Sequence, residues 1–241
     1  DPRYSAVALQ VVCDAVNQDG AVDAARARMM ASIERIGRQI ATVKAFLRTF
    51  NGTELKLVCL PEYFLTGFPL RESREEWKAK ASIDINGPEY EALSAIAQRF
   101  GVFIGGNLYE NDPNFPELYF QANTLFAPSG ETVLRYRRMI SLYTPTPFDV
   151  WDRYLDVYGH EAVFPVADTE IGKTEITLGL MAALQRHGQT VLGMKPIAAG
   201  CSETAAGLRN ADAERIQAQA SQPRPYAEIN PYAFAPPIAP H

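Results

Sequence analysis

Short apolar runs that alternate with long amphipathic ones leave a chain few ways to fold, and that alternation fills the first 167 residues. Tyr4 to Val12 (YSAVALQVV) reads as a strand. Val22 to Phe50 carries Met29, Ile33, Ile36, Ile40, Val43 and Phe46 at three- and four-residue steps, the stripe of an amphipathic helix. Leu55 to Leu60 (LKLVCL) reads as a buried strand that stops at Pro61-Glu62. Pro88 to Phe100 is a second helix, and Val102 to Gly106 (VFIGG) a third strand. Tyr119 to Ala127 (YFQANTLFA) and Thr132 to Tyr136 follow as strands, joined into a hairpin by the turn Pro128-Ser129-Gly130-Glu131. Strand, helix, strand, helix and three more strands predict a layered α/β arrangement, with helices on a mixed sheet.

From residue 168 the texture changes, so the chain reads as two domains, 1–167 and 168–241. Asp168 to Thr174 (DTEIGKT) is a polar, glycine-bearing loop. Glu175 to His187 is a helix whose expected buried face is Leu178, Met181, Ala182 and Leu184, with Gly188 as its stop. Thr190 to Met194 predicts a strand, and Asn210 to Ala220 a helix with Asn210 or Asp212 near its start. After Ser221 prolines crowd the sequence (Pro223, Pro225, Pro231, Pro236, Pro237, Pro240), and such a tail cannot add a central strand.

Composition removes several function classes. The 23 basic and 28 acidic residues give a formal charge of −5, without the basic stripe of a nucleic-acid binder. The start, Asp1-Pro2-Arg3-Tyr4, has no signal-peptide pattern, and no apolar stretch nears the roughly 20 residues that span a bilayer. Cys13, Cys59 and Cys201 are scattered and odd in number, which predicts a reduced, cytoplasmic setting without a disulfide frame. His160, His187 and His241 lie too far apart for a histidine-held metal.

Two constellations carry chemistry. Glu62 follows a strand and sits among aromatics in Pro61-Glu62-Tyr63-Phe64-Leu65-Thr66-Gly67-Phe68. Such a carboxylate, if desolvated, has a raised pKa that suits a general base. It could equally cap a helix or pair with an arginine. The segment LPEYFLTGFP resembles the surroundings of the catalytic glutamate in the nitrilase, or carbon-nitrogen hydrolase, superfamily. So do Gly105-Gly106-Asn107-Leu108-Tyr109-Glu110, the hairpin from Asn123-Thr124 to Glu131, and Leu134-Arg135-Tyr136-Arg137-Arg138, in the same order over residues 4 to about 173. The resemblance implies part of an α-β-β-α sandwich, and hydrolysis of nitriles or amides by a Glu–Lys–Cys triad. Glu62 matches the glutamate, while Arg138 stands where the lysine belongs, and its planar fork does not replace an ammonium. Ile176-Thr177-Leu178-Gly179-Leu180 occupies the place of the nucleophilic cysteine. Without a thiolate there is no acyl-enzyme, so an amidase with another nucleophile and a non-hydrolytic homologue both stay open.

Gly172-Lys173-Thr174 opening a helix is the closing half of a phosphate-binding loop, although a plain turn and cap reads the same way. With Val191 to Gly200 (VLGMKPIAAG), Gly207 to Asp212 (GLRNAD) and Ile229 to His241, it resembles the first third of dethiobiotin synthetase, a P-loop ATPase of biotin synthesis. The resemblance implies ATP and Mg²⁺ as cofactors. Glu170, Gly172, Lys173 and Thr174 would meet the nucleotide, Thr174 and Asp212 the metal, and Lys195 the carbamate substrate. Val166 replaces the loop's opening glycine, and its Cβ would crowd a phosphate. Pro165 falls where a central strand should donate an N–H, and Ala199 replaces a serine near the substrate.

Asp168 to Lys173 (DTEIGK) fits both families, which places a crossover there. The expected molecule is a truncated nitrilase-like sandwich half followed by a partial P-loop α/β fragment, with no complete active site. Its expected partners are a small-molecule substrate if it is active at all, neither nucleic acid nor membrane, and other copies through exposed sheet edges, as a homo-oligomer or an aggregate. A P-loop fragment of this size buries little surface and should be marginal by itself.

Overall fold

A computed structural model of the chain describes residues 4–141, 144–167, 169 and 171–236, except the side chains of 173, 175 and 176. The chain divides into two compact units, Asp1–Ala167 and Asp168–His241. Each is mixed α/β, and no described helix is long and apolar enough to cross a membrane.

The first unit is built on one twisted sheet of β1 (Tyr4–Ala8), β2 (Glu54–Cys59), β3 (Ile83–Asp84), β4 (Phe103–Asn111), β5 (Phe120–Phe126) and β6 (Thr132–Arg137). Its order is β1-β2-β4-β5-β6, with β3 pairing farther along β4. The first four strands pair in parallel, whereas β4, β5 and β6 are antiparallel, so the expected hairpin is present. Helix α1 (Val22–Phe46) buries Met29, Ile33, Ile36 and Ile40, the residues whose spacing marked it. They pack with Val58, Ile104 and Leu108 of the sheet and with Tyr90, Leu93 and Ala97 of α3 (Pro88–Phe100). Helix α3 begins with Pro88 in its first turn and stops at Gly101, whose φ of +61° costs a glycine little.

Two further helices bury few side chains. Helix α2 (Arg74–Ala81) buries only Trp77 and Ala81 and is held at its start by a reciprocal cap: Ser73 N–H donates to Glu76 Oε2 at 2.8 Å, and Glu76 N–H to Ser73 Oγ at 3.2 Å. Helix α4 (Trp151–Tyr158) buries Tyr154 alone and depends on what lies under it.

Under it lies a buried charge cluster. Arg137 at the end of β6 is 2% exposed; its Nε donates to Glu110 Oε1 at 2.7 Å, and its Nη1 lies 2.7 Å from Asp112 Oδ2. Glu110 also accepts from Tyr90 Oη at 2.6 Å and Arg135 Nε at 3.1 Å. The guanidinium of Arg137 lies against the rings of Phe120, Tyr154 and Tyr158, and the Tyr158 hydroxyl donates to Asp112, which ties α4 to the sheet. Burial pulls the Asp112 pKa upward, but the Tyr158 hydroxyl, the Asn114 N–H and Arg137 outweigh it and hold the carboxyl below its ordinary value.

The second unit comprises α5 (Lys173–Arg186), β7 (Ile197–Ala198), β8 (Ser202–Thr204), β9 (Gly207–Arg209), α6 (Ala211–Gln219), α7 (Tyr226–Ile229) and β10 (Tyr232–Ala233). Met181, Ala213, Ile216 and Ile229 form its core, with Leu178, Val191 and Tyr226 packed around them. Gly193 is squeezed into it: a Cβ there would sit 2.6 Å from both Ile216 Cγ2 and Met181 Sδ.

Two expectations for this unit fail. Leu184 is 38% exposed and lies off the buried face of α5. Thr190 to Met194 is no strand, because a strand needs a ladder and none of the described strands of this unit flanks it. Its backbone turns elsewhere: Val191 N–H donates to Ser221 Oγ at 2.9 Å, and Val191 C=O accepts from Ser221 N–H at 2.9 Å. The short parallel pairing forms later, with Ile197 opposite Tyr232 and Ala198 opposite Ala233.

Replacing Arg137 by methionine leaves two buried carboxylates without their shared cation. We expect this to lower unfolding free energy by about 3–5 kcal/mol in urea titrations of the intact chain. Arg135→Met, at a partly exposed position, should cost clearly less; equal losses would contradict this account of the cluster.

Candidate functional site

The first cluster is built at the end of β2. Leu60 N–H donates to Gly105 C=O at 2.8 Å and extends the line of the strand to Pro61. Tyr63 then turns the chain with φ +58°, a left-handed conformation that is uncommon for a non-glycine residue. Its carbonyl accepts from Thr66 N at 3.3 Å, Gly67 N at 3.0 Å and Cys13 Sγ at 2.9 Å. Its ring stacks on Tyr109 at 5.8 Å between centroids, and Phe64 packs so close to Gly106 that a Cβ there would meet Phe64 Cε1 at 2.8 Å. The glycine of the GGN stretch is therefore a packing requirement for the loop that carries Glu62.

Glu62 opens onto a cavity of about 470 Å³ lined by Leu60, Asn107, Gln121, Asn123, Tyr136 and Arg138. Asn107, Asn123 and Tyr136 stand abreast on β4, β5 and β6, on one face of the sheet. Arg138 follows the buried Arg137, so the alternation of strand side chains puts it on that same cavity face. Gln121 holds the centre: its Nε2 donates to Glu62 Oε1 at 2.9 Å and to Asn107 Oδ1 at 3.0 Å, while its Oε1 accepts from Arg138 Nη1 at 3.1 Å. Arg138 Nη1 also lies 3.5 Å from Glu62 Oε1, and Arg138 Nε donates to the Ile140 carbonyl at 2.9 Å.

Glu62 and Arg138 thus come together, but the desolvated carboxylate expected from the aromatic neighbours is not there. The Glu62 side chain is 55% exposed and that of Arg138 47%, because the rings of Tyr63 and Phe64 turn away to pack on Tyr109 and Gly106. No thiol lines the cavity. The position of the family's cysteine falls inside α5, in the other unit, rather than at a strand end. Protein crowding around the Cys13 and Cys59 sulfurs pushes both pKa values up, which lowers their thiolate fractions. Gln121 escaped the sequence reading, since a glutamine within a β-strand looks like any outward polar residue.

The second cluster lies at the start of α5 and α6. Gly172 forms the N-cap of α5, and Thr174 is buried in its first turn. Asn210 caps α6, its Oδ1 accepting from Asp212 N–H at 3.1 Å and Ala213 N–H at 3.2 Å. This sets Asp212 near Thr174, where its carboxylate takes Lys195 Nζ at 2.9 Å. Burial pulls the Asp212 pKa upward, but Lys195 and Thr174 outweigh it and hold the carboxyl below its ordinary value. Lys195 is fixed through its backbone: its N–H donates to Ile229 C=O at 2.9 Å, and its C=O accepts from buried Asn230 Nδ2 at 2.7 Å. Asn230 is a second residue that sequence reading did not single out; its place before Pro231 was the available hint.

Thr174, Lys195 and Asp212 therefore meet, whereas Glu170 and the side chain of Lys173 lie outside the described residues. A hydroxyl and a carboxylate oxygen are hard donors that suit Mg²⁺, which takes few protein ligands and completes its shell with water and phosphate. No group of three or more His, Cys, Asp or Glu among the described residues could hold a metal ion by itself. Val166, at the place of the missing loop glycine, is 75% exposed and belongs to no helix or strand.

The family model for carbon-nitrogen hydrolases matches residues 22–189, and one described as an AAA domain matches residues 165–241. ATP-dependent dethiobiotin synthetases of Chromohalobacter salexigens and Aeromonas hydrophila are 55% and 51% identical over 74 residues, 31% of this chain and 31% and 33% of theirs. The chain thus spans about a third of the length of those relatives. Among solved structures, Nit3 of Saccharomyces cerevisiae, from branch 10 of the nitrilase superfamily, is 21% identical and covers 47% of this chain and 40% of its own, with a TM-score of 0.36.

The Lys195–Asp212 contact has a direct readout. In Lys195→Met, carbon NMR should report an Asp212 pKa that moves up toward the ordinary value of about 3.9. Because the folded pKa is depressed, the stability that Asp212 contributes is present above its unfolded pKa and lost as pH falls through the folded one. An Asp212 titration unchanged by the substitution would show that the pair does not form.

Proposed function

Since the chain belongs to the carbon-nitrogen hydrolase family through residues 22–189, and carries a dethiobiotin-synthetase-like part after them, we propose that it is a family member without hydrolase chemistry. The observation that carries this reading is the lining of the Glu62 cavity: a carboxylate engaged by Gln121 and Arg138, with no sulfur beside it. Covalent acyl transfer needs a nucleophile whose proton the base can take, and a base alone activates nothing in that scheme. Arg138 keeps a positive charge but engages Gln121 and Glu62 rather than standing ready for an oxyanion. Ammonia release from an amide panel should stay at background for the intact chain and be unchanged by Glu62→Gln. Turnover that disappears in Glu62→Gln would overturn the reading.

A second reading concerns the other unit and rests on the convergence of Thr174, Lys195 and Asp212. It takes ATP as a ligand, in line with the names of the relatives, and Mg²⁺ with it, in line with the hard oxygen donors of Thr174 and Asp212. The free N–H groups at the start of α5 would cradle phosphate, and Lys173 would approach its outer oxygens. Thr174 and Asp212 would hold the metal, and Lys195 would face a carbamate substrate. When bound, Mg-ATP supplies the phosphoryl group that activates such a carboxyl for ring closure. Val166 in place of the loop glycine argues for binding weaker than in a full loop. Calorimetry with Mg-ATP on the intact chain should give binding that weakens at least about tenfold in Lys173→Ala and in Asp212→Asn, the scale of one lost charged hydrogen bond. Equal heats in all three proteins, or none in the intact one, would dispose of it. The partners we propose are small molecules rather than nucleic acid, and self-association would run through β1 and β6, the outer strands of the first sheet.

A further inference from the structure

We propose that the Glu62 cavity recognises a small zwitterion, a free α-amino acid, rather than an amide to be cleaved. The inference rests on the non-hydrolytic reading of that site and adds its ligand class. Cleaving an amide needs a nucleophile beside the two charges, and no thiol lines this cavity. Here Glu62 and Arg138 face each other with a single contact of 3.5 Å, and each side chain is about half exposed. A solvated pair with one long contact leaves both charges able to take further partners. An α-amino acid carries its ammonium and carboxylate on one carbon, at a spacing close to that of the pair. Laid alongside it, the ligand adds two charge-assisted contacts, ammonium to Glu62 and carboxylate to the Arg138 fork, without moving the two side chains apart.

The rest of the cavity fits such docking. Gln121 bridges the two charges through both ends of its amide and so fixes their separation before any ligand arrives. Asn107, Asn123 and Tyr136 add donors and acceptors around the ligand's polar atoms, and among the described lining residues only Leu60 is aliphatic. A volume of about 470 Å³ lies in the range of small-molecule sites and suits a compact polar ligand. The charges of Glu62 and Arg138 cancel, so a lone carboxylate would meet repulsion from Glu62 and a lone amine repulsion from Arg138.

The test is calorimetry of the intact chain with L-serine and L-asparagine, against acetamide, acetate and methylammonium. The amino acids should bind at least about tenfold tighter than each comparator, and Glu62→Gln or Arg138→Gln should weaken them about 10- to 100-fold, the scale of one lost charged hydrogen bond. Both positions are exposed, so thermal melts of the variants should match the parent and exclude misfolding. Acetamide binding as tightly as the amino acids, amino-acid affinity unchanged in both variants, or no heat with any amino acid would overturn the proposal. Ammonia release from acetamide and from L-asparagine is measured in the same samples. Release lost in Glu62→Gln overturns the non-hydrolytic reading, and the zwitterion proposal that rests on it, whereas no release and no binding overturns the zwitterion proposal alone.

Discussion

A guanidinium buried between two carboxylates leaves the first unit only one workable register. Arg137 satisfies Glu110 and Asp112 together, in a place water does not reach. Strand side chains alternate between faces, so a one-residue slip of β6 along β5 would expel Arg137 and strand both acids, a loss far larger than any surface contact could offset. The same register puts Asn107, Asn123 and Tyr136 abreast on the other face and brings Arg138 toward Glu62. The polar cavity is thus set by charges buried on the opposite side of the sheet. The cluster also reaches α4 through Tyr154 and Tyr158, which explains how a helix with one buried side chain is held at all.

Much of this was legible in the sequence, for reasons that differ by element. Helices α1 and α3 were readable because their apolar residues repeat at helical steps and because Pro88 and Gly101 punctuate α3. Helix α2 was not, since it buries only two residues; its one local signal was the Ser73-x-x-Glu76 cap. Helix α4 carried Trp151, Tyr154, Leu155 and Tyr158 at helical steps, a pattern too short to stand out, and its ring and cation contacts reach residues far away in the chain. Thr190 to Met194 shows the converse case: its apolar residues suit a strand, yet a strand is a property of pairs, and no neighbouring ladder receives it. At the site, Glu62 and Arg138 were found through resemblance to a family, and Gln121 between them was missed. Its role exists only when two strands and a loop converge.

The second unit shows a different balance. Four buried side chains form its core, and Gly193 lets Met181 and Ile216 approach there. So small a core supplies limited hydrophobic stabilisation. Its polar cluster is held by two hydrogen-bonding asparagines: the Asn210 cap, which acts within three residues on α6, and Asn230, which reaches 35 residues back to the Lys195 backbone. Lys195 and Asp212 meet in this unit although the flanking parallel ladder expected beside Thr190 to Met194 is missing among the described residues.

Binding and catalysis respond differently to missing parts, and that difference governs what both units can do. Binding contacts contribute severally, so a site that has lost one keeps a reduced affinity from the others. A covalent reaction needs its nucleophile and base at one moment, and removing either can cost about as much as removing the whole set. The Glu62 cavity holds a carboxylate, a guanidinium and a framework of amides that orients them. On the proposed non-hydrolytic reading, what such an arrangement retains is recognition of charge at fixed spacing rather than a slow version of the family's reaction.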